Sequence, residues 1–143
     1  MTSIKNLFHI NAPKEKVYTA VATIDGLSNW WTTAITGENK VDGIIQFRFG
    51  DFGGPDMKVT KLKPNEMIKW ECVAGPEDWI GTTFTFQLDE NEGKTRVRFI
   101  HDGWKEANDF YASCSFSWGR YMESLRQYCQ TGKGQAFGSE NYK

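Results

Sequence analysis

Between residues 44 and 102 apolar side chains recur at every second position, and this alternation restricts the fold more than any other feature of the chain. Such a pattern is typical of β-strands that bury one face. It predicts five consecutive strands, at residues 44–50, 57–63, 67–74, 80–89 and 94–102. The links between them are short and rich in turn-forming residues, so the segment is predicted to form an antiparallel meander.

The segments on either side of the meander have different patterns. Residues 3–11 alternate like a further strand, and Pro13 then begins a helix that continues to about residue 24. A short second helix is predicted around Leu27, Trp30 and Trp31. After the meander, residues 107–131 carry apolar side chains at helical spacing and predict one long helix, which Gly132 ends.

A long helix with one apolar stripe and a sheet with one apolar face bury those surfaces against each other. The predicted fold is therefore α+β: a curved antiparallel sheet of about six strands around the long C-terminal helix, with two short helices after the first strand. At 143 residues the chain is predicted to form a single domain over 1–143. Its core is expected over about 4–132, followed by a frayed C-terminal tail over 133–143.

Charge and cysteine content argue against several classes of protein. The formal net charge is −1, so no overall field attracts nucleic acid or an acidic membrane. The three cysteines have no C-x-x-C spacing, which argues against a structural zinc site and a disulfide framework. We expect no cofactor and no metal. Without an apolar run of transmembrane length or a signal segment, the chain is expected to be cytoplasmic and not inserted in a membrane.

Aromatic content is the unusual part of the composition, with ten Phe, six Trp and five Tyr. Strand parity turns many of these rings toward the long helix. One interpretation is that they fill a core; the other is that they wall a cavity for a small hydrophobic or aromatic ligand. The predicted ligand-binding residues are Trp30, Trp31, Phe47, Phe49, Trp70, Phe84, Phe86, Phe99, His101, Trp118 and Tyr121, with Trp30, Trp31 and Tyr121 at the mouth.

His101 and Tyr121 are the candidate catalytic residues if the same cavity holds an enzyme. His101 is the ionisable side chain that parity places on the inner face, where it could orient a ligand oxygen or act as a base. A purely structural histidine is the other interpretation of the same position. A nucleophilic pair of Cys72 with His101 is opposed by the intervening strand at 80–89. No catalytic motif is present, so binding is favoured over catalysis.

The outer face of the sheet is predicted to be basic. Parity places Lys5, Arg48, Lys58, Lys69, Arg96 and Arg98 there, with only Glu71 among the acids. This face is either a solvated surface or a docking site for an acidic protein partner, and its scattered charges do not suit nucleic acid. Three bulky side chains, Phe52, Trp79 and Trp104, fall in or beside predicted links. They either contact a ligand or partner, or fold back as minor cores.

Several motifs resemble those of a known family. Ile10-Asn11-Ala12-Pro13 and Leu27-Ser28-Asn29-Trp30-Trp31 are similar to the opening of the activators of heat-shock-protein-90 ATPase homologues, in the START-like (SRPBCC) superfamily. Three further segments agree in the same order. They are Thr83–Leu88, then Thr95–Trp104, then Trp118 with Leu125 and Gly132 at intervals of seven.

The resemblance implies a helix-grip fold and three functions. Single-domain members resemble binders of small hydrophobic ligands, and some resemble cyclases or hydrolases. The named chaperone activators are expected to carry an additional N-terminal domain. A co-chaperone-like protein-binding module, suggested by the family resemblance and by the basic outer face, is a third alternative. The chain is expected to be a monomer or a weak homodimer.

Overall fold

The computed structural model describes residues 2–140 and 142 and contains a seven-stranded antiparallel sheet and three α-helices. The strands are β1 (Thr2–Ile10), β2 (Ala34–Gly37), β3 (Ile44–Arg48), β4 (Asp56–Lys63), β5 (Met67–Ala74), β6 (Thr83–Asn91) and β7 (Lys94–Trp104). The helices are α1 (Lys14–Ala22), α2 (Ile24–Trp30) and α3 (Asp109–Thr131). Short 3-10 turns occupy Gly50–Phe52 and Glu77–Trp79. The strand order is β1-β7-β6-β5-β4-β3-β2. Strands β2 to β7 therefore form a meander, and β1 pairs with β7 at one edge of the sheet.

The predicted fold class is confirmed, with one additional strand. Strand β2 was not predicted because only one of its four residues, Ile35, is even partly buried. Its residues pair only with β3, at the edge of the sheet. A short edge strand without a buried face leaves no alternating pattern for sequence reasoning to detect.

Local sequence explains where α3 begins and ends. The Asn108 side chain caps the helix by accepting a hydrogen bond from the backbone N–H of Tyr111, at 2.9 Å. At the other end Gly132 takes the left-handed conformation, with φ of 85°, and its N–H closes on the carbonyl of Tyr128. The helix buries Cys114, Trp118, Met122, Leu125 and Cys129 against the concave face of the sheet and the two short helices.

Part of the predicted frayed tail is attached to the body of the protein. The backbone N–H of Phe137 donates to the carbonyl of Trp31 at 2.8 Å, and the N–H of Thr33 donates to the carbonyl of Phe137 at 3.0 Å. Ala136 is fully buried. These bonds satisfy the backbone just after α2, where the chain turns toward β2. Positions 141 and 143 of the predicted tail lie outside the described residues.

Candidate functional site

The space between the sheet and α3 is occupied by a cluster of aromatic rings centred on Trp31. Its ring centroid lies 4.4 Å from Phe47, 5.1 Å from Trp118 and 6.2 Å from Trp70. Trp31 reaches this position because α2 ends at Trp30 and the next residue turns inward, where it is only 2% exposed. The predicted inward face of the sheet is therefore assembled around one side chain from the α2–β2 link.

Most of the predicted ligand-binding residues pack against one another. Seven of them have no exposed surface: Trp30, Phe47, Trp70, Phe84, Phe86, Phe99 and His101. Trp30 was predicted at the mouth of the cavity but is buried. Its indole N–H donates to the carbonyl of Ala20 at 2.8 Å. Phe49 is half-buried at the edge, 5.5 Å from Trp31. In this conformation the rings fill the interior that they were predicted to line.

A small notch lies among these rings beside α3. It has a volume of about 40 Å³ and is lined by Trp31, Trp79, Cys114, Ser117, Trp118 and Tyr121. That volume accommodates a water molecule or two, whereas small-molecule sites measure roughly 300–1,000 Å³. The notch is apolar and open to solvent at one end. Trp31, Trp118 and Tyr121 are the predicted ligand-binding residues that border it.

Sequence reasoning did not include Trp79, Cys114 or Ser117 among the ligand-binding residues. Trp79 lies in the link between β5 and β6, and alternation does not say which way a link folds. In the structure it turns inward, 8% exposed, and stacks on Trp118 with their centroids 5.9 Å apart. The sequence signal that could have identified Trp79 as buried is its place in the link between Pro76 and Gly81, because large apolar side chains in links usually have a packing partner.

His101 is fully engaged in hydrogen bonds inside the protein. The indole N–H of Trp118 donates to its Nδ1 at 3.2 Å, and its Nε2 lies 2.9 Å from the Thr82 hydroxyl. Because the Thr82 hydroxyl donates to the carbonyl of Trp79, the Nε2–H tautomer satisfies the whole chain of bonds. Burial lowers the pKa of His101 to about 3, so the ring is neutral near pH 7. These bonds support a structural role, and the predicted catalytic role gains no support from them.

The other candidate catalytic groups are not activated either. Tyr121 is half-buried at the notch, and burial together with the nearby Tyr142 raises the pKa of its hydroxyl. The Cys72 thiol donates to the carbonyl of Ala74 at 3.3 Å, and burial raises the pKa of this thiol to about 11. As expected, β6 separates Cys72 on β5 from His101 on β7. Neither the thiol nor the phenol is a ready nucleophile near neutral pH.

The outer face of the sheet is less basic than predicted. Asp89 lies within β6 directly opposite Arg96, and its carboxylate accepts hydrogen bonds of 2.9 and 2.7 Å from that guanidinium. It also lies 3.4 Å from Arg98, while Asp56 pairs with Arg48 at 2.7 Å. The expectation that Glu71 is the only acid on this face was therefore wrong, because β6 continues past Asp89 and carries its carboxylate onto the sheet.

The three bulky side chains in links differ in their positions. Trp79 and Trp104 belong to the main core, and Trp104 is only 1% exposed. Phe52 lies in the turn between β3 and β4 with 88% of its surface exposed. No helix among the described residues combines the length and apolar character needed to span a bilayer. In the same part of the chain, no three His, Cys, Asp or Glu side chains are arranged to hold a metal ion.

A curved antiparallel sheet closed around a long C-terminal helix defines the helix-grip domain of the START-like superfamily, a fold consistent with a ligand-binding cavity between sheet and helix. Over residues 11–130 the sequence matches the family described as activator of Hsp90 ATPase homolog 1-like protein. The chain belongs to this family, as its motifs predicted. No significant match was found among curated proteins.

Solved structures of similar proteins agree with this assignment. The Aha1 dimer from Colwellia psychrerythraea is 46% identical with a TM-score of 0.86, and the alignment covers 94% of this chain and 100% of that one. A protein from Staphylococcus saprophyticus is 17% identical, with a TM-score of 0.77 and coverage of 94% and 97%. CalU16 from Micromonospora echinospora is 14% identical, with a TM-score of 0.75 and coverage of 88% and 73%. The last two share the fold.

Proposed function

We propose that this chain is a homodimeric protein-binding module that docks on an Hsp90-type chaperone through its outer surface. The filled interior is the observation that carries the proposal: the rings around Trp31 leave a void of about 40 Å³. A carrier of small molecules needs a pocket several times larger. Recognition by a domain with such a core takes place on its exterior.

The family supports the kind of partner. It is described by homology to an activator of the Hsp90 ATPase. The Colwellia relative, described as Aha1, is covered over the full length of its solved chain. That relative is described as a dimer, which supports a homodimer here.

A row of lysines on the outer face suits an acidic partner. Strand register places Lys5, Ile100, Thr85, Lys69 and Lys61 side by side across β1, β7, β6, β5 and β4. Lys61 and Lys69 are directly opposite each other, although like charges at paired positions destabilise a sheet. Retaining that pair is consistent with a use in binding. We call Lys5, Lys69 and Lys61 the lysine row; its ends are about 19 Å apart at the usual strand spacing.

The test is binding of the purified protein to an Hsp90-type chaperone at low salt, with the chaperone's ATPase rate as a second readout. Combining Lys5→Glu with Lys61→Glu is expected to weaken binding at least tenfold. The fold should tolerate this change, because Lys61→Glu turns a repulsive pair with Lys69 into an attractive one.

The matched control combines Lys105→Glu with Lys133→Glu. These two exposed lysines lie outside the sheet, and reversing them changes the net charge by the same amount. The control pair is expected to bind like the wild type. Equal weakening by both pairs would rule out the lysine row, and a wild type that does not bind the chaperone at low salt would rule out the proposed function itself.

The notch favours a second candidate function, binding of a small flat aromatic molecule. Four of its lining residues are aromatic, and the indole N–H of Trp79 has no hydrogen-bond partner within the described residues, although the Cys114 thiol lies nearby. A ring with a hydrogen-bond acceptor would pack in the notch beside Trp118 and accept from Trp79. Anything larger than a water molecule requires one of these rings to move.

Native mass spectrometry and tryptophan fluorescence with flat aromatics and fatty acids test this second function. We expect a flat aromatic to quench the fluorescence, and Ser117→Phe, which fills the notch, to abolish the response. Thr60→Phe adds the same ring at an exposed position on β4 and should leave the response intact. A wild type that responds to none of these compounds would contradict the proposal.

A further inference from the structure

The solvent-facing side of α3 carries a large exposed apolar side chain one turn away from a glycine. Phe116 is 71% exposed in the middle of the helix. Gly119 follows one turn later, and a Cβ atom added there would meet nothing within 4 Å. A phenylalanine that stays in water on folding contributes little to stability, and a glycine inside a helix costs about 0.5–1 kcal/mol relative to alanine. Neither residue is explained by the folding of the single chain.

Depressions lie on both sides of Gly119. One has a volume of about 450 Å³ and is bordered by Ser115, Phe116, Arg120 and Glu123. The other, of about 220 Å³, lies between α3 and β1 and is bordered by Leu7, Phe8 and Met122. We call the surface formed by Ser115, Phe116, Gly119 and Glu123 the α3 face.

We infer that the α3 face is the contact between two copies of this chain. The inference rests on the proposed homodimer, which the dimeric Colwellia relative supports. A two-fold dimer joins the same patch on both copies, so that patch must complement itself. The α3 face meets this condition because it presents a projecting ring and a hollow one helical turn apart.

Antiparallel crossing of the two α3 helices at Gly119 brings the ring and the hollow together. Phe116 of each copy then lies over Gly119 and the stem of Glu123 in the other copy. The small side chains of Ser115 and Gly119 allow the helix backbones to approach closely. Glu123 is held by Arg126 through hydrogen bonds of 2.8 and 2.5 Å, which keeps a charged pair at the rim of the contact.

The extent of the surface indicates a weak dimer. A helix of 23 residues is about 35 Å long, and one such helix with the edge of β1 buries an area at the lower end of the range for specific interfaces. The lysine row lies on the opposite, outer side of the sheet and stays free in this arrangement. Dimer formation and chaperone docking therefore use separate surfaces.

Sedimentation equilibrium of the purified chain, without any chaperone, measures the dimer dissociation constant. Phe116→Ser is expected to raise it at least tenfold. Phe52→Ser removes another exposed phenylalanine from a distant turn and is expected to leave it within twofold of the wild type. Circular dichroism checks that both variants are folded, and neither change touches the core.

Oxidative cross-linking provides an independent readout. The three native thiols are buried, so an introduced cysteine is the accessible one. Gly119→Cys places a thiol next to the two-fold axis, where diamide is expected to join two chains by a disulfide; Phe52→Cys is expected to give no such product. A dimer that persists in Phe116→Ser and fails to cross-link through Gly119→Cys overturns the α3 face alone. A wild type that stays monomeric at every concentration overturns the homodimer as well.

Discussion

Replacing Trp31 with alanine is expected to lower the free energy of unfolding by about 3–5 kcal/mol. Six rings surround this side chain: Trp30, Phe47, Phe49, Trp70, Trp118 and Tyr121. Since these rings come from α2, from β3 and the residue after it, from β5 and from α3, they cannot all move inward to close the space. The loss is a large share of the roughly 5–15 kcal/mol that stabilises a domain, so the variant should be near its unfolding threshold.

Urea denaturation followed by far-ultraviolet circular dichroism measures this change without depending on tryptophan emission. Phe52→Ala is the matched control, because that ring is 88% exposed and its removal should alter the free energy of unfolding by less than about 0.5 kcal/mol. A loss below about 1 kcal/mol for Trp31→Ala would mean that the interior packs loosely. Recognition through the exterior would then have no support from the packing, and binding of a small ligand in the interior would be favoured.

Acidification from pH 7 to pH 4 is expected to destabilise the protein by about 3 kcal/mol through His101 alone. Burial lowers the folded-state pKa of His101 from 6.5 to about 3. Between those values the unfolded chain binds a proton that the folded protein does not, so stability falls as pH falls. The stabilisation is complete above pH 6.5, decreases by about 1.4 kcal/mol per pH unit below it, and is exhausted near pH 3.

Urea denaturation of the wild type and His101→Gln at several pH values tests this dependence. The variant should be less stable at pH 7, because Trp118 and Thr82 lose their partner, but its stability should fall less steeply with acid. Carboxylates with lowered pKa values, such as Asp89 beside Arg96, weaken both proteins in acid, so the difference between the two curves isolates His101. Parallel curves would show that His101 does not titrate in this way.

The roles of His101 and Trp118 illustrate how far residue-based reasoning reached. Parity correctly placed the imidazole on the inner face, since alternation along a strand is a local property. The two hydrogen bonds that hold the ring depend on Thr82, in the link before β6, and on Trp118, on α3. Those partners meet only when the sheet closes on the helix, so sequence spacing could not distinguish a catalytic histidine from a structural one.

The charge distribution of the outer face also depends on residues that meet only in the folded protein. Parity correctly placed Arg96 and Arg98 there, but the strand register brought Asp89 opposite Arg96. Register depends on how two strands pair and not on either strand alone. The prediction of a basic outer face therefore overestimated its positive charge. The like-charged pair of Lys61 and Lys69 could be identified only once the pairing of β4 with β5 was known.

The amino-acid sequence by itself determined the main strands, the three helices, the inward side of the rings on the strands and the family, because periodicity and capping act over a few residues. Tertiary structure alone decided that the rings fill the interior. Whether aromatic side chains leave a cavity depends on the curvature of the sheet and on links such as the one carrying Trp79, which join residues far apart in the chain. Those long-range contacts turned a predicted ligand cavity into a packed core with a notch of about 40 Å³.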